Sequence, residues 1–154
     1  MPQIKAFFDD KTSTVTYLVW DSATREAAII DPVLDYEPHA ARLTTTSVDS
    51  VLDVAADLGL KVVWALDTHA HADHLSATHH IHEVTGAKVG IGARITEVQR
   101  VFSSMFHATD VCPDGGAFDA LFKDGETFAL GNLTVRVMHT PGHTPACVTY
   151  VIDD

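Results

Sequence analysis

The sequence has few cysteines, few positive charges and no long apolar run. Cys112 and Cys147 are the only cysteines among 154 residues. Two are too few for a disulfide framework, so a reducing compartment is expected. Ten Lys and Arg residues stand against 21 Asp and Glu residues, which gives a formal net charge of −11. So acidic a chain is unsuited to binding nucleic acids or anionic membranes.

Targeting and membrane signals are missing as well. The first residues, Met-Pro-Gln-Ile-Lys, contain no apolar stretch of the kind that signal peptides carry. No apolar run approaches the roughly 18 residues that a membrane-spanning helix needs. The sequence also shows no internal repeat and no linker between domains. It therefore predicts a single cytoplasmic domain over residues 1–154, a length that can enclose a sizeable core.

Periodic and alternating apolar residues predict a mixed α/β fold. Ser47 is expected to cap the first helix and Gly59 to end it, because a hydroxyl and a glycine suit these positions. Residues 33–46 are expected to be irregular. The expected strands are 4–8, 14–20, 27–30, 61–66, 88–91, 126–130, 133–138 and 146–152, and the expected helices are 48–58, 75–85 and 96–106.

Three features of the packing are expected from this order. The first three strands predict an antiparallel meander. The succession of strand, helix and strand before residue 68 predicts a βαβ unit. The apolar stripe of the helix 96–106 is interpreted as core. The loop 107–119 that follows holds Cys112, which is interpreted as an unreactive thiol.

The segment 68–74 concentrates groups that bind metals. It carries three imidazoles and one carboxylate, on His69, His71, Asp73 and His74. Ligands on a helix converge at a spacing of three or four residues, so this tighter spacing requires a loop. The loop directly follows a buried strand, and imidazole and carboxylate are ordinary metal ligands. These features favour a metal-binding loop over a solvated, histidine-rich turn.

A second histidine segment lies near the end of the chain. His143 is held between Pro141 and Pro145, which stiffen the backbone, while Gly142 allows a sharp turn. Such a loop presents a side chain at little entropic cost, so His143 is the expected next ligand, and His139 is a weaker candidate. The remaining helical histidines are interpreted as solvated rather than ligating. They are His79, His80 and His82.

Both histidine segments resemble one known family. THAHADH, at residues 68–74, matches the H-x-H-x-D-H signature of the metallo-β-lactamase superfamily, and TPGHT, at 140–144, is similar to its next ligand motif. The longer strings DTHAHADHLSA and HTPGHTPACVTYV resemble the persulfide dioxygenases, which are related to the glyoxalase II hydrolases. The resemblance runs from Ile4 onward. It implies an αββα sandwich with the metal at the edge of its two sheets, of which this chain carries the N-terminal portion.

The resemblance also implies a cofactor and a set of ligands. In persulfide dioxygenases two His and one Asp hold one Fe(II), and by motif the two histidines are His69 and His143. His71, Asp73 and His74 then surround the ion, and Asp73 is the candidate catalytic group, orienting an imidazole or a water. In the glyoxalase II type two Zn(II) ions bind instead. There His69, His71 and His143 hold one ion, and Asp73 and His74 hold the other.

Three functions stay open on this basis. The first is oxidation of a persulfide, implied to be glutathione persulfide, by O2 to sulfite and thiol. The second is thioester hydrolysis by a binuclear hydrolase. The third is a metal-binding fragment that is inactive or depends on a partner.

The chain departs from the family pattern at its end. The Asp ligand, which relatives carry in a Gly-Asp context well after the second histidine motif, is expected beyond residue 154. Asp153 and Asp154 come early and lack the preceding glycine. The strand 146–152 is expected to leave apolar surface uncovered, and both a homo-oligomer and a completing chain stay open.

Overall fold

The computed structural model describes residues 1–108 and 112–153. Three residues of the loop expected over 107–119, and Asp154, lie outside the described residues. In chain order the elements are β1 (Pro2–Asp9), β2 (Thr14–Asp21), β3 (Glu26–Ile30), β4 (Val33–Glu37), β5 (Arg42–Thr44), α1 (Thr46–Asp57), β6 (Lys61–Leu66), β7 (Leu75–Ser76), α2 (Thr78–Thr85), β8 (Lys88–Gly92), α3 (Ile95–Phe106), β9 (Ala120–Phe122), β10 (Thr127–Leu130), β11 (Leu133–His139) and β12 (Val148–Ile152).

A six-stranded sheet forms the centre of the fold, in the order β1-β2-β3-β6-β8-β9. The first three strands are antiparallel, which confirms the expected meander. From β3 onward the strands are parallel, and helices lie between them in the chain, as parallel connections require. The carboxyl ends of β3 and β6 therefore meet at one edge of the sheet, where the segment 68–74 begins.

A second sheet, β10-β11-β12, packs against the first. Its hairpin turns at Gly131-Asn132 as expected, with Gly131 at φ 62°. One apolar core lies between the six-stranded sheet and helices α1 and α2, and includes Leu18, Val51 and Ile81. Another lies between the sheets and includes Leu66 and Val137. The described residues thus form a helical layer and two packed sheets, and β5, β4 and β7 form a small third sheet. This arrangement confirms the expected mixed α/β sandwich.

Several boundaries differ from the expectation. Residues 33–46 are not irregular, because β4 pairs with both β5 and β7. The second helix begins at Thr78 rather than Leu75, because Leu75 is paired with Leu34. These strands have two to five residues, and pairing between distant segments leaves no periodicity in so short a run.

The N-terminus of α1 is also not as expected. Ser47 lies inside the helix, and the N-cap residue, Thr45, makes no side-chain capping bond. The Ser47 hydroxyl instead donates to Asp35 Oδ1 at 2.6 Å, and its N–H donates to Asp35 Oδ2 at 2.8 Å. A carboxylate from β4 therefore takes the place of the local cap. Gly59 does follow the helix in the left-handed region, at φ 64°.

The interpretation of the α3 stripe as core is wrong. Val101, Phe102, Met105 and Phe106 are each at least half exposed, and Ile95 is the buried residue of the helix. Periodicity shows which side chains share a face but not whether another element covers that face. No helix among the described residues is long and apolar enough to span a bilayer.

Candidate metal centre

The segment 68–74, called the His loop below, starts where two parallel strands end together. Asp31 directly follows β3, and Asp67 directly follows β6. The strand ends are joined by a hydrogen bond of 2.8 Å from the Asp31 N–H to the Leu66 carbonyl. In open α/β sheets, ligands bind beyond the carboxyl ends of strands. The predicted metal loop therefore lies where the topology favours a site.

Asp31 organises the first turn of the His loop. Its Oδ1 accepts from the Thr68 N–H at 2.7 Å and lies 3.0 Å from His71 Nε2, and its Oδ2 accepts from the Thr68 hydroxyl at 2.8 Å. The backbone of Asp31 is left-handed, at φ 52°, a conformation that non-glycine residues adopt only when neighbours enforce it. The sequence analysis does not single out Asp31, although its place at the end of β3 could have indicated this role.

These hydrogen bonds fix the tautomers of two histidines. The Thr68 hydroxyl gives its proton to Asp31 and so accepts from His69 Nδ1–H, 2.9 Å away. The lone pair of His69 is then on Nε2. His71 donates from Nε2 to the Asp31 carboxylate, which leaves its lone pair on Nδ1. Each ring thus keeps one nitrogen ready to bind a metal.

Asp73 and His74 form a second hydrogen-bonded unit with Thr14 of β2. Asp73 Oδ2 accepts from the Thr14 hydroxyl at 3.0 Å and lies 3.1 Å from His74 Nδ1. Although partial burial opposes it, these bonds lower the pKa of Asp73 to about 2. The His74 side chain is buried, and within residues 1–108 and 112–153 its Nε2 has no hydrogen-bond partner. A buried nitrogen without a partner is a feature that a metal ion would explain.

The imidazoles come together around one point. The ring centroids of His69 and His71 are 4.1 Å apart, and those of His69 and His143 are 4.9 Å apart. Ligand atoms of His69, His71 and Asp73 lie within 4.8 Å of one another. The described residues thus fit a metal ion by both their donor chemistry and their spacing.

The loop that carries His143 is fastened at several places. His139 Nε2 lies 2.9 Å from the Pro145 carbonyl, and the Thr144 N–H lies 3.2 Å from Cys147 Sγ. Val148 N–H donates to the Thr68 carbonyl at 2.9 Å, which ties the start of β12 to the His loop. His139, the weaker ligand candidate, therefore supports the loop instead of joining the imidazole cluster.

Burial and neighbouring charges shift the pKa values of ionisable groups in and beside the His loop. Burial raises the pKa of Asp67 to about 7, against the effects of His71 and of the Ser76 hydroxyl at 2.9 Å. Burial acts to lower the pKa of His71, but its bond to Asp31 and the nearby carboxylates raise that pKa overall. Burial and the neighbouring His71 lower the pKa of His69, which favours the neutral form that metals bind.

The other sequence candidates lie elsewhere. His79 is exposed 3.4 Å from Glu83, His80 pairs with Asp49 at 2.9 Å, and His82 bonds the Ala87 carbonyl at 2.8 Å. These three side chains thus have partners on or near α2 instead of in the imidazole cluster. Cys112 is exposed.

Tyr150 on β12 supports the His loop from the second sheet. Its hydroxyl donates to the Asp67 carbonyl at 2.9 Å, and burial raises its pKa well above the usual value. Because Tyr150→Phe leaves that carbonyl without this donor, we expect a loss of about 1 to 3 kcal/mol in the free energy of unfolding, measured in urea. Tyr17→Phe, at a tyrosine 41% exposed on β2, is the control and should change it by less than about 0.5 kcal/mol. Equal effects would contradict a role for the Tyr150 hydroxyl.

Comparisons with known proteins point to one family. The profile of the family described as the metallo-beta-lactamase superfamily matches residues 9–154. A probable metallo-hydrolase of Burkholderia pseudomallei is 48% identical over 98% of this chain and 52% of its own length. The mitochondrial persulfide dioxygenase of Homo sapiens is 31% identical over 98% of this chain and 48% of its own.

A solved structure is also similar to this chain. ETHE1 from Myxococcus xanthus superposes with a TM-score of 0.76 and 30% identity, over 99% of this chain and 54% of that one. The chain therefore spans about half the length of these relatives.

Proposed function

Because the chain belongs to the metallo-beta-lactamase superfamily, we propose that residues 1–154 form a single domain that carries most of the metal site of an Fe(II)-dependent persulfide dioxygenase. The observation that carries the proposal is the meeting of two imidazoles from separate segments of the chain. The rings of His69 and His143 lie 4.9 Å apart, and the persulfide dioxygenase pattern assigns these two, and not His71, to the ion. Two imidazoles then need one carboxylate to complete a facial triad.

In this proposal His69 and His143 hold the ion, together with a carboxylate outside residues 1–154. When bound, Fe(II) supplies redox chemistry between O2 and a sulfur substrate. The overall reaction, RSSH + O2 + H2O giving RSH and H2SO3, oxidises the outer sulfur and reduces O2. The 31% identity to the human persulfide dioxygenase supports this choice.

The chain's own residues bind and orient the reactants. A cleft of about 350 Å³, called the metal cleft below, has Thr14, Asp31, His69, His71, Asp73 and His143 among its lining residues. The low pKa of Asp73, about 2, makes it a poor general base near neutral pH, so its role is to accept a hydrogen bond. Asp73 would orient a water or the S–H of a persulfide, and Asp31 would hold the His71 ring.

A second candidate function is a binuclear zinc hydrolase. The buried Nε2 of His74, which has no hydrogen-bond partner in the described part of the chain, favours it, because with Asp73 it could bind a second ion. Two relatives bear names that agree with hydrolysis or with glyoxalase chemistry. They are the metallo-hydrolase described above and the Glyoxylase B2 of Dictyostelium discoideum, which is 38% identical over 99% of this chain and 53% of its own length.

Metal content and turnover of the same preparation separate these functions. The proposal expects one iron per chain after anaerobic loading, and O2 uptake with glutathione persulfide as the first probe. Two zinc ions with hydrolysis of a glutathione thioester and no O2 uptake would support the hydrolase instead. Metal binding without either activity would overturn both enzymatic assignments for these 154 residues and leave a metal-binding chain that is inactive or depends on a partner.

Replacing Asp73 tests the number of metals directly. Asp73→Ala is expected to keep one iron per chain, because the proposed ligands His69 and His143 remain, and to slow turnover through loss of the orienting carboxylate. Elemental analysis measures the metal, with Asp53→Ala on the exposed side of α1 as the matched control. If two metals bind before the substitution and one after it, the binuclear assignment is favoured.

A further inference from the structure

A second cleft, of about 650 Å³, opens beside the metal cleft and is called the tail cleft below. Its walls are β4, the turn at residues 9–12 and the His loop. His71, Ala72 and Asp73 line both clefts. A molecule whose reactive end is at the imidazoles can therefore extend past Asp73 into the tail cleft.

Apolar side chains are exposed in the tail cleft. Tyr36 of β4 is 50% exposed and Leu75 of the short strand β7 is 49% exposed, and Leu34 also lines the cavity. Concave sites that combine aromatic and aliphatic walls with a few polar groups are typical of small-molecule binding. An apolar segment of a ligand would cover these side chains.

The charges in the tail cleft have mostly one sign. Its acidic lining residues are Asp9, Asp35, Glu37 and Asp73, and its basic ones are Lys11 and the imidazoles of His71 and His74. Two of the carboxylates are held in place by donors: Asp9 by the Thr12 N–H at 2.8 Å, and Asp35 by the Ser47 N–H at 2.8 Å. The cleft therefore presents mainly negative charge to a ligand.

We propose that the tail cleft binds the carrier end of the substrate, and that this end has an apolar segment followed by an ammonium group. If the ligand carried carboxylates there instead of an ammonium group, they would be repelled by the carboxylates of Asp9, Asp35 and Glu37. A persulfide or thioester of a small amine-bearing thiol thus fits better than a carrier with several carboxylates. Placing the reactive end at the metal rests on the proposed function, but binding of the tail itself does not.

Three probes of equal length test the charge preference without any metal. Hexylamine, hexanol and hexanoate are titrated into the chain at about pH 7, where the first is a cation and the last an anion. Amide NMR spectra should show hexylamine shifting Tyr36 and Leu75, with a Kd about ten-fold below that of hexanoate. A preference for hexanoate, equal affinities, or shifts outside the tail cleft would overturn the proposal.

Matched variants separate this cleft from the general negative charge of the chain. Glu37→Gln and Tyr36→Ala should each weaken hexylamine binding several-fold. Asp57→Asn, an exposed carboxylate on α1, and Tyr17→Ala, an exposed tyrosine on β2, should leave it unchanged. If the two controls weaken binding as much as the cleft variants, the attraction is not local and the proposal fails.

The same titrations repeated with metal distinguish the two proposals. A chain that takes up no iron after anaerobic loading but binds hexylamine in the tail cleft would refute the proposed function and support the inference. A chain that holds iron and oxidises a persulfide, but shows no preference for the amine, would support the proposed function and refute the inference.

Discussion

Replacing Asp31 with alanine is expected to lower the metal affinity of the chain by about 10- to 100-fold, although Asp31 is not a proposed ligand. The carboxylate accepts from the Thr68 N–H and hydroxyl and from His71. Without it, Thr68 no longer fixes the tautomer of His69, and the His71 ring loses its anchor. Competition with a chelating dye measures the change in affinity.

Asp31→Asn and Asp10→Ala are the matched variants. Asparagine keeps one acceptor for the Thr68 N–H but removes the charge, so an intermediate affinity is expected. Asp10 is exposed in the turn after β1, and its loss should leave metal binding unchanged. Full affinity in Asp31→Ala would show that the His loop is held by other contacts.

The pH dependence of the free energy of unfolding tests the role of Asp31 independently, in the metal-free protein. Although burial opposes it, the bond and charge of Asp31 raise the pKa of His71 above its ordinary value, so this ring binds a proton more tightly in the folded state than in the unfolded state. This contribution of Asp31 to stability is therefore full below the unfolded pKa of histidine and is lost as pH rises through the folded pKa of His71. The difference in unfolding free energy between the chain and Asp31→Ala should shrink as pH rises.

The His loop could be predicted from sequence because its ligand groups are contiguous. THAHADH shows its composition in one short segment, directly after a recognisable buried strand. The groups that hold it could not be found this way. Asp31 is 37 residues from Thr68, and Thr14 is 59 residues from Asp73. Only the parallel pairing of β3 with β6 and the meander of β1 to β3 bring them together.

The dependence on contacts between distant segments also explains where the predicted fold was wrong. The strands β4, β5 and β7 exist because distant short segments pair with one another, and such pairing has no local signal. The stripe on α3 was recognisable, but its exposure depends on what the rest of the fold covers. Local propensity thus gave the long elements, whereas tertiary contacts determined the short ones and the surroundings of the metal.

Replacing His143 with alanine is expected to lower metal affinity by more than about 100-fold, a larger loss than supporting residues cause. His143 is the proposed ligand contributed by the second sheet, and its ring lies 4.9 Å from that of His69. Its loss would leave His69 as the one proposed ligand within residues 1–154. The dye competition used for Asp31 measures the affinity, and circular dichroism checks that the variant is folded.

His139, four residues before His143, provides a matched control. It bonds the Pro145 carbonyl and is proposed to position the loop without touching the ion. His139→Ala should therefore lower affinity only by the roughly 10- to 100-fold typical of supporting groups, while His79→Ala on the exposed face of α2 should change nothing. Because His139 and His143 share a loop, equal losses in both variants would mean that the loop, and not the His143 imidazole, is what the metal site requires.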